Sequence, residues 1–156
     1  MTSAAPVVSV QTVPARRLAA VRRRVKLGAV GEVWKPALDH VWTFLRAHPD
    51  LRSDGHNVFL YHHPRDREAA MDVDFGVEVT RFFAPEGEVV PAETPAGNVA
   101  MAVHRGPYDL LPETHDAIHA WRVREGRLFA GLSWEIYGDW SDDPTKLETT
   151  VCYWLR

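Results

Sequence analysis

Two stretches of the chain repeat one order of apolar patterns. An apolar run follows Pro14-Ala15 and continues to Val21, and a similar run follows Pro95-Ala96 and continues to Val103. Short apolar runs bounded by turn formers are typical of strands. After each run and a break, apolar residues recur at spacings of three and four, which predicts an amphipathic helix. These residues are Val33, Trp34, Ala37, Leu38, Val41, Trp42 and Leu45 in the first stretch and Leu110, Leu111, Ala117, Ile118 and Trp121 in the second.

Each predicted helix is followed by two further strand candidates. Turn-forming residues, Pro64-Arg65-Asp66 in the first stretch and Asp142-Asp143-Pro144 in the second, separate the two candidates of each pair. The candidates are Asn57 to His62 and Asp72 to Thr80 in the first stretch, and Leu132 to Tyr137 and Leu147 to Leu155 in the second.

The two stretches match each other at constant shifts in residue number. A shift of 76 positions places Tyr61 on Tyr137 and Val79 on Leu155, and a shift of 81 positions aligns the first strands. The sequence therefore predicts an α+β fold in which a β-α-β-β module occurs twice, at about 7–82 and 95–156, joined by a linker over 83–94. We expect one domain, 1–156, whose modules pair into an antiparallel sheet with pseudo-twofold symmetry and a ligand cleft between them.

Strand alternation assigns the residues of each strand to two faces. Leu132, Trp134 and Ile136 form a core row, and we place Trp121, Phe75 and Tyr153 in the core as well. The face that the helices leave uncovered is predicted to combine aromatic rings with a few acids. Its predicted members are Phe59, Tyr61, Glu135, Tyr137 and Trp154.

Composition and charge exclude several classes of function. The net charge of −3 provides no field to hold a polyanion, which argues against direct nucleic-acid binding. The chain has a single cysteine, no signal-peptide pattern and no long apolar segment, so we expect a cytoplasmic protein that does not enter a membrane. Six Trp, six Phe and four Tyr are many rings for 156 residues, more than a core of this size needs.

Glu135 lies inside an apolar, aromatic strand, and two interpretations are open for it. It is either a solvated glutamate on the outer face of a sheet or a carboxylate at the floor of an aromatic pocket. In the second case, Trp34, Trp42 and Tyr108 join the strand rings as candidate ligand-binding residues, because their π faces attract cations and stack on planar ligands. We predict no cofactor and no metal: His115 and His119 have the i, i+4 spacing of a ligand pair, but no third ligand is evident.

Three segments carry a resemblance to a known family. His104-Arg105-Gly106-Pro107-Tyr108, Trp134-Glu135-Ile136-Tyr137 and the closing residues 147–155 resemble the GyrI-like small-molecule-binding family, which is also the effector-binding domain of some AraC-type and MerR-type regulators. The resemblance covers nearly the whole chain. It implies the duplicated β-α-β-β fold and a pocket between the halves with Glu135 at its base.

The chain also departs from the pattern of that family. Trp154 stands where the family commonly has Pro, and Thr150 stands where it often has Glu, which leaves a second pocket acid doubtful. The first strand begins within about ten residues of Met1, which indicates a stand-alone form without a preceding helix-turn-helix.

The sequence predicts a stand-alone multidrug-binding protein for lipophilic, planar or cationic aromatic molecules. One alternative, implied by some members of the family, is a cofactor-independent hydrolase of cyclopropane-bearing, DNA-alkylating natural products, with Glu135 and Tyr137 as catalytic residues. Another is a protein-binding module that masks DNA gyrase. An enzymatic role is the less favoured interpretation, and a protein partner is not identified.

Overall fold

The structure, a computed structural model, describes residues 6–26, 28–64 and 70–156. Within these residues it contains two α-helices and eight strands, and all eight strands belong to one antiparallel sheet. The helices are α1 (Val30–Ala47) and α2 (Leu111–Glu125). The strands are β1 (Ser9–Val13), β2 (Arg17–Lys26), β3 (Arg52–His62), β4 (Ala70–Val79), β5 (Val90–Glu93), β6 (Gly97–Arg105), β7 (Phe129–Tyr137) and β8 (Glu148–Leu155).

The strand register confirms the predicted duplication. The sheet order is β1-β6-β8-β7-β3-β4-β2-β5, so each module arranges its strands in the same way, as β3-β4-β2 and as β7-β8-β6. Leu18 pairs with Glu78 in the first module, and Val99 pairs with Trp154 in the second. These partners are related by shifts of 81 and 76 residues, the two shifts that the sequence predicts.

The modules meet along β3 and β7. Phe59 lies directly opposite Glu135 in this antiparallel pair, and Leu60 lies opposite Trp134. Because Phe59 and Glu135 are also equivalent positions at the shift of 76, the pseudo-twofold axis passes between them. The centre of the duplicated fold therefore carries a phenylalanine on one side and a glutamate on the other.

Two strands are missing from the sequence prediction. β1 precedes the predicted first strand and pairs with β6 of the other module, and β5 lies within the predicted linker and pairs with β2. Both are short, and their sequences, SVQTV and VPAE, have no long apolar run. β1 covers the edge of the second module and β5 covers the edge of the first, where unpaired backbone groups would otherwise remain. Arg65 and Asp66 of the predicted turn lie outside the described residues.

Both helices pack on one face of the sheet. Helix α1 contacts β2 and β4, and α2 contacts β6 and β8, so each helix lies over the outer strands of its own module. Helix α1 buries Leu38, Val41 and Leu45 in a cluster with Phe59 and Phe75. The seam strands β3 and β7 are left open between the two helices.

The opposite face forms a core built from strands. Its buried cluster consists of Leu18, Ala20, Val58, Leu60, Val99, Trp134 and Cys152. The prediction that Glu135 lies on the face without helices is therefore wrong: Glu135 lies on the helix face, in the gap between α1 and α2. Neither described helix is long and apolar enough to span a membrane.

Candidate functional site

A cavity of about 870 Å³ occupies the gap between the helices, above the β3–β7 seam. Six of the eight predicted ligand-binding residues line it. They are Trp34, Phe59, Tyr61, Tyr108, Glu135 and Tyr137. The structure therefore brings together most of the predicted site at the junction of the two modules, where the sequence places the cleft.

The structure places the other two predicted residues elsewhere. Trp154 pairs with Val99 and packs with the strand cluster on the opposite face of the sheet, so the prediction that it shares a face with Glu135 is wrong. Trp42 packs against the core beneath α1, and the guanidinium of Arg52 lies 5.5 Å from its ring centroid. Alternation along one strand does not show which row of a neighbouring strand shares its face, because that depends on register.

Glu135 is buried and fully engaged in hydrogen bonds. Only 4% of Glu135 is exposed to solvent, which rules out a solvated glutamate on the outer face of the sheet. The hydroxyls of Tyr61 and Tyr137 donate to Oε1 at 2.5 and 2.8 Å. His115 Nε2 lies 2.7 Å from Oε2, and a carboxylate oxygen accepts, so this nitrogen donates. Three donors from three different elements hold the carboxylate at the cavity floor.

The two tyrosines stay protonated beside this acid. Burial, followed by the negative charge of Glu135, raises the pKa of Tyr61 and of Tyr137 well above the ordinary value. Burial also raises the pKa of Tyr108, whose ring meets the ring of Tyr137 edge-on at 5.5 Å. Phenols of raised pKa are dependable hydrogen-bond donors at neutral pH.

A second polar network, missed by the sequence analysis, lies beneath α2. His115 Nδ1 lies 2.7 Å from the hydroxyl of Tyr153, and His63 Nε2 lies 2.6 Å from Oγ of Ser133. The rings of His63 and Tyr153 stack at 5.8 Å. Strand alternation predicts Tyr153 to be a core residue, and it is buried, but it also lines the cavity.

Two histidines in this region, His63 and His119, favour the neutral form. Burial, reinforced by the neighbouring His119 and His115, lowers the pKa of His63 to about 4. Burial also lowers the pKa of His119, which meets the rings of Phe129 and Tyr153 rather than Glu135. The imidazoles of the i, i+4 pair, His115 and His119, therefore contact different partners and do not converge on one point.

The two helices line the cavity with different chemistry. The side chains that α1 contributes are Val30, Trp34 and Leu38, all of them apolar. Helix α2 contributes His115, Asp116 and His119 in addition to apolar residues. The cavity therefore has an apolar wall beneath α1 and a polar wall beneath α2.

The segment His104-Arg105-Gly106-Pro107-Tyr108 fixes where α2 begins. Gly106 has φ +124°, a conformation that favours glycine, and its N–H donates to the carbonyl of Leu147 at 2.9 Å. His104 Nε2 donates to the carbonyl of Pro107 at 2.8 Å, so Nδ1 accepts from the Thr114 hydroxyl at 2.9 Å. These contacts set Tyr108 and the first turn of α2 at the mouth of the cavity.

Comparison with protein families identifies the fold. Residues 6–155 match the model of the GyrI-like small molecule binding domain. The chain belongs to this family. The expected resemblance is thereby confirmed, and the function is established at the level of a small-molecule-binding domain. None of the curated proteins compared with the chain matches it significantly.

Solved structures show the same fold for this GyrI-like domain. The C-terminal domain of EcmrR is 22% identical with a TM-score of 0.78, and the match covers 97% of this chain and 98% of that one. In the complex of EcmrR with DNA, the match covers 97% of this chain and 58% of the EcmrR chain. SAV2435 bound to tetraphenylphosphonium is 10% identical with a TM-score of 0.74, covering 96% and 94% of the two chains.

A neighbour described as an enzyme has this fold as well. It is a hydrolase encoded by lin2189 from Listeria innocua, which is 15% identical with a TM-score of 0.61 and covers 96% of this chain and 91% of its own. At these identities the likeness establishes the GyrI-like architecture alone.

Proposed function

We propose that this GyrI-like domain binds lipophilic molecules that carry planar aromatic rings and one positive charge, and that the cavity between α1 and α2 is the binding site. The observation that carries the proposal is the buried carboxylate of Glu135 at the floor of a cavity lined by Trp34, Phe59 and Tyr108. A cation lowers the cost of this buried negative charge, while the rings supply stacking and cation–π contact.

The shape and chemistry of the cavity favour broad specificity. A volume of about 870 Å³ accommodates a drug-sized molecule, and the apolar wall of Val30, Trp34 and Leu38 makes no directional demand on it. SAV2435, which shares the fold, has been solved with tetraphenylphosphonium, a lipophilic cation. We therefore propose a multidrug-type ligand class for this domain, and we retain the prediction of a cytoplasmic protein.

Replacement of the acid tests the proposal. Glu135→Gln keeps the size of the side chain and removes its charge, so we expect tetraphenylphosphonium to bind about ten- to a hundredfold more weakly by isothermal titration calorimetry. Glu148→Gln is the matched control, because it removes the same charge from an exposed residue of β8 that pairs with Arg105. Equal affinity of Glu135→Gln and wild type for this cation would refute the assignment of the site.

The hydrogen bonds of Glu135 favour a second candidate function, the hydrolysis of strained cyclopropane-bearing compounds. A carboxylate held by Tyr61, Tyr137 and His115 can receive a proton from a water whose oxygen bonds to a cyclopropane carbon. The ring C–C bond that breaks leaves its electron pair on the conjugated substrate carbonyl. That oxygen takes the proton of a tyrosine hydroxyl, which is restored by the proton on Glu135. Chromatography of a DNA-alkylating cyclopropanoid incubated with the protein tests this. Ring-opened product that depends on both Glu135 and Tyr137 would support the enzyme, and unchanged substrate would exclude it.

Masking of gyrase gains no support from the described residues and stays a prediction.

A further inference from the structure

The side chain that approaches Glu135 from α2 is itself able to carry a positive charge. His115 Nε2 lies 2.7 Å from Oε2 of Glu135, with 21% of the His115 side chain and 5% of the Glu135 side chain exposed. Both residues line the cavity. A cationic ligand and His115 would therefore contact the same carboxylate, that of Glu135.

The contacts of His115 are compatible with both charge states of an imidazole. In the neutral state, Nε2–H donates to Glu135 and Nδ1 accepts from the hydroxyl of Tyr153, which lies 2.7 Å away. In the protonated state, Nδ1–H donates to the oxygen of the same hydroxyl, since a phenol both donates and accepts. The histidine can gain a proton with no movement of heavy atoms. The Glu135–His115 pair then changes its net charge from −1 to 0.

The tyrosines around this pair stay neutral over the range in which histidine ordinarily changes charge, pH 5 to 8, and the neighbouring histidines are shifted toward the neutral form. Burial raises the pKa of Tyr61 on β3, Tyr137 on β7 and Tyr153 on β8, which therefore stay neutral. Burial lowers the pKa of His63 to about 4 and lowers that of His119 as well. The remaining charged residues that line the cavity are Lys26 and Asp116.

We propose that His115 sets the charge preference of the cavity: with a neutral imidazole the cavity favours lipophilic monocations, and with a protonated imidazole it loses this preference while still accepting neutral aromatic molecules. The inference rests on the proposed function, since it assigns charge selectivity within the same cavity. Protonation of His115 and binding of a cation both neutralise Glu135, so each opposes the other. Binding of a cation to the form with a protonated imidazole is then accompanied by release of a proton from the protein.

Two probes of similar shape and different charge test the inference. Tetraphenylphosphonium is a permanent cation, triphenylphosphine oxide is neutral, and neither titrates between pH 5.5 and 8. We expect the affinity for the cation to fall by about tenfold or more from pH 8 to pH 5.5, the effect of one neighbouring charge, and the affinity for the neutral probe to change less than about twofold. Calorimetry at pH 6 in two buffers of different ionisation enthalpy measures the protons released.

Variants on α2 assign the effect to one residue. His115→Gln keeps a hydrogen-bond donor near Glu135 and cannot titrate, so we expect it to bind the cation with no pH dependence and no proton release. His115→Asn serves the same purpose if the glutamine variant folds poorly. His119→Gln is the matched control: it removes a cavity histidine of the same helix that meets aromatic rings, and we expect it to retain the pH response.

The outcomes separate the inference from the function on which it rests. Cation binding that is independent of pH in the wild type, or a pH response that persists in His115→Gln, overturns the role of His115 and leaves the binding site in place. Failure of tetraphenylphosphonium to bind at any pH overturns both. If the pH response is lost in His119→Gln but retained in His115→Gln, the charge selectivity depends on His119 rather than on His115, and the inference is refuted.

Discussion

The two modules of the domain share a backbone plan and differ in the chemistry that they direct at the cavity. At the pseudo-twofold axis, Phe59 of the first module faces its own equivalent, Glu135, across the seam. The shift of 76 residues also matches Asp39, an exposed residue of α1 that pairs with Lys35, to His115, which binds the buried carboxylate. Duplication therefore supplies two similar backbones, but the helix positions that line the cavity are not equivalent in the two modules, since the position of His115 lines it and that of Asp39 does not.

This difference suggests an orientation for the ligand. Where the modules agree, at Tyr61 and Tyr137, both hydroxyls donate to the same carboxylate oxygen, so symmetry brings two donors to one acceptor. Where they differ, the apolar side chains of α1 oppose the imidazoles of α2. An amphiphilic molecule would lie with its ring system beneath α1 and its charged or hydrogen-bonding group beneath α2.

A glutamate at both positions beside the pseudo-twofold axis should have the largest effect on stability. Phe59→Glu places a second carboxylate opposite Glu135 in a buried site and removes ring contacts of 4.8 Å with Phe75 and Tyr137. We expect the free energy of unfolding at pH 7 to fall by about 3 kcal/mol or more, measured by urea denaturation. The loss should shrink toward pH 5, because one of two adjacent carboxyls takes up a proton there.

A conservative variant at the same position provides the control. Phe59→Leu keeps an apolar side chain and should cost only about 1 kcal/mol. If Phe59→Glu is no less stable than Phe59→Leu at pH 7, the position opposite Glu135 is accessible to water. The prediction that a second carboxylate beside the pseudo-twofold axis is destabilising would then be contradicted.

The ends of β3 and β7 offer a second contrast, which concerns pH. His63 is partly buried, whereas the side chain of its equivalent, Asp139, is 98% exposed. Since burial lowers the pKa of His63 from 6.5 to about 4, the unfolded chain binds the proton more readily than the folded one. The stability that the neutral His63 provides is therefore fully present above about pH 6.5. As the pH falls toward 4, the free energy of unfolding decreases by up to about 3 kcal/mol on account of this residue.

Denaturation of His63→Gln over this pH range tests the linkage. Relative to wild type, the variant should lose less stability between pH 6.5 and pH 4, because glutamine takes up no proton in the unfolded chain. Parallel pH profiles for the two proteins would contradict the prediction. His56→Gln, at a half-exposed histidine outside the cavity lining, is the control variant.

The smallest effect is expected where the modules are alike. Tyr61→Phe and Tyr137→Phe each remove one of two donors to Oε1 of Glu135, so each should lower the free energy of unfolding by about 1.5 kcal/mol. A double-mutant cycle with Glu135→Gln should show coupling for both tyrosines. Strong coupling for one tyrosine and none for the other would show that the modules contribute unequally even at this matched pair.

Much of the fold could be predicted because its cause is local. The two β-α-β-β patterns and the two shifts follow from spacings that any segment displays without its partners. The short edge strands β1 and β5 could not be predicted, because each pairs with a strand far away in the chain and neither has a long apolar run. The site shows the same division: alternation places Glu135 on one face with Phe59 and Tyr137, but it does not predict that this face carries the helices or that Trp154 lies on the other face.

The sequence by itself determined the periodicity of each element, the duplication of the module and the presence of an acid among aromatic rings. Only the tertiary structure decided that α1 and α2 lie over the outer strands, that the seam remains open between them, and that His115 and Tyr153 join Glu135. The physical reason is that alternation and helical spacing are properties of neighbours in the chain. Register between strands and the approach of a helix to a sheet depend on contacts between residues far apart in the chain, which no local pattern records.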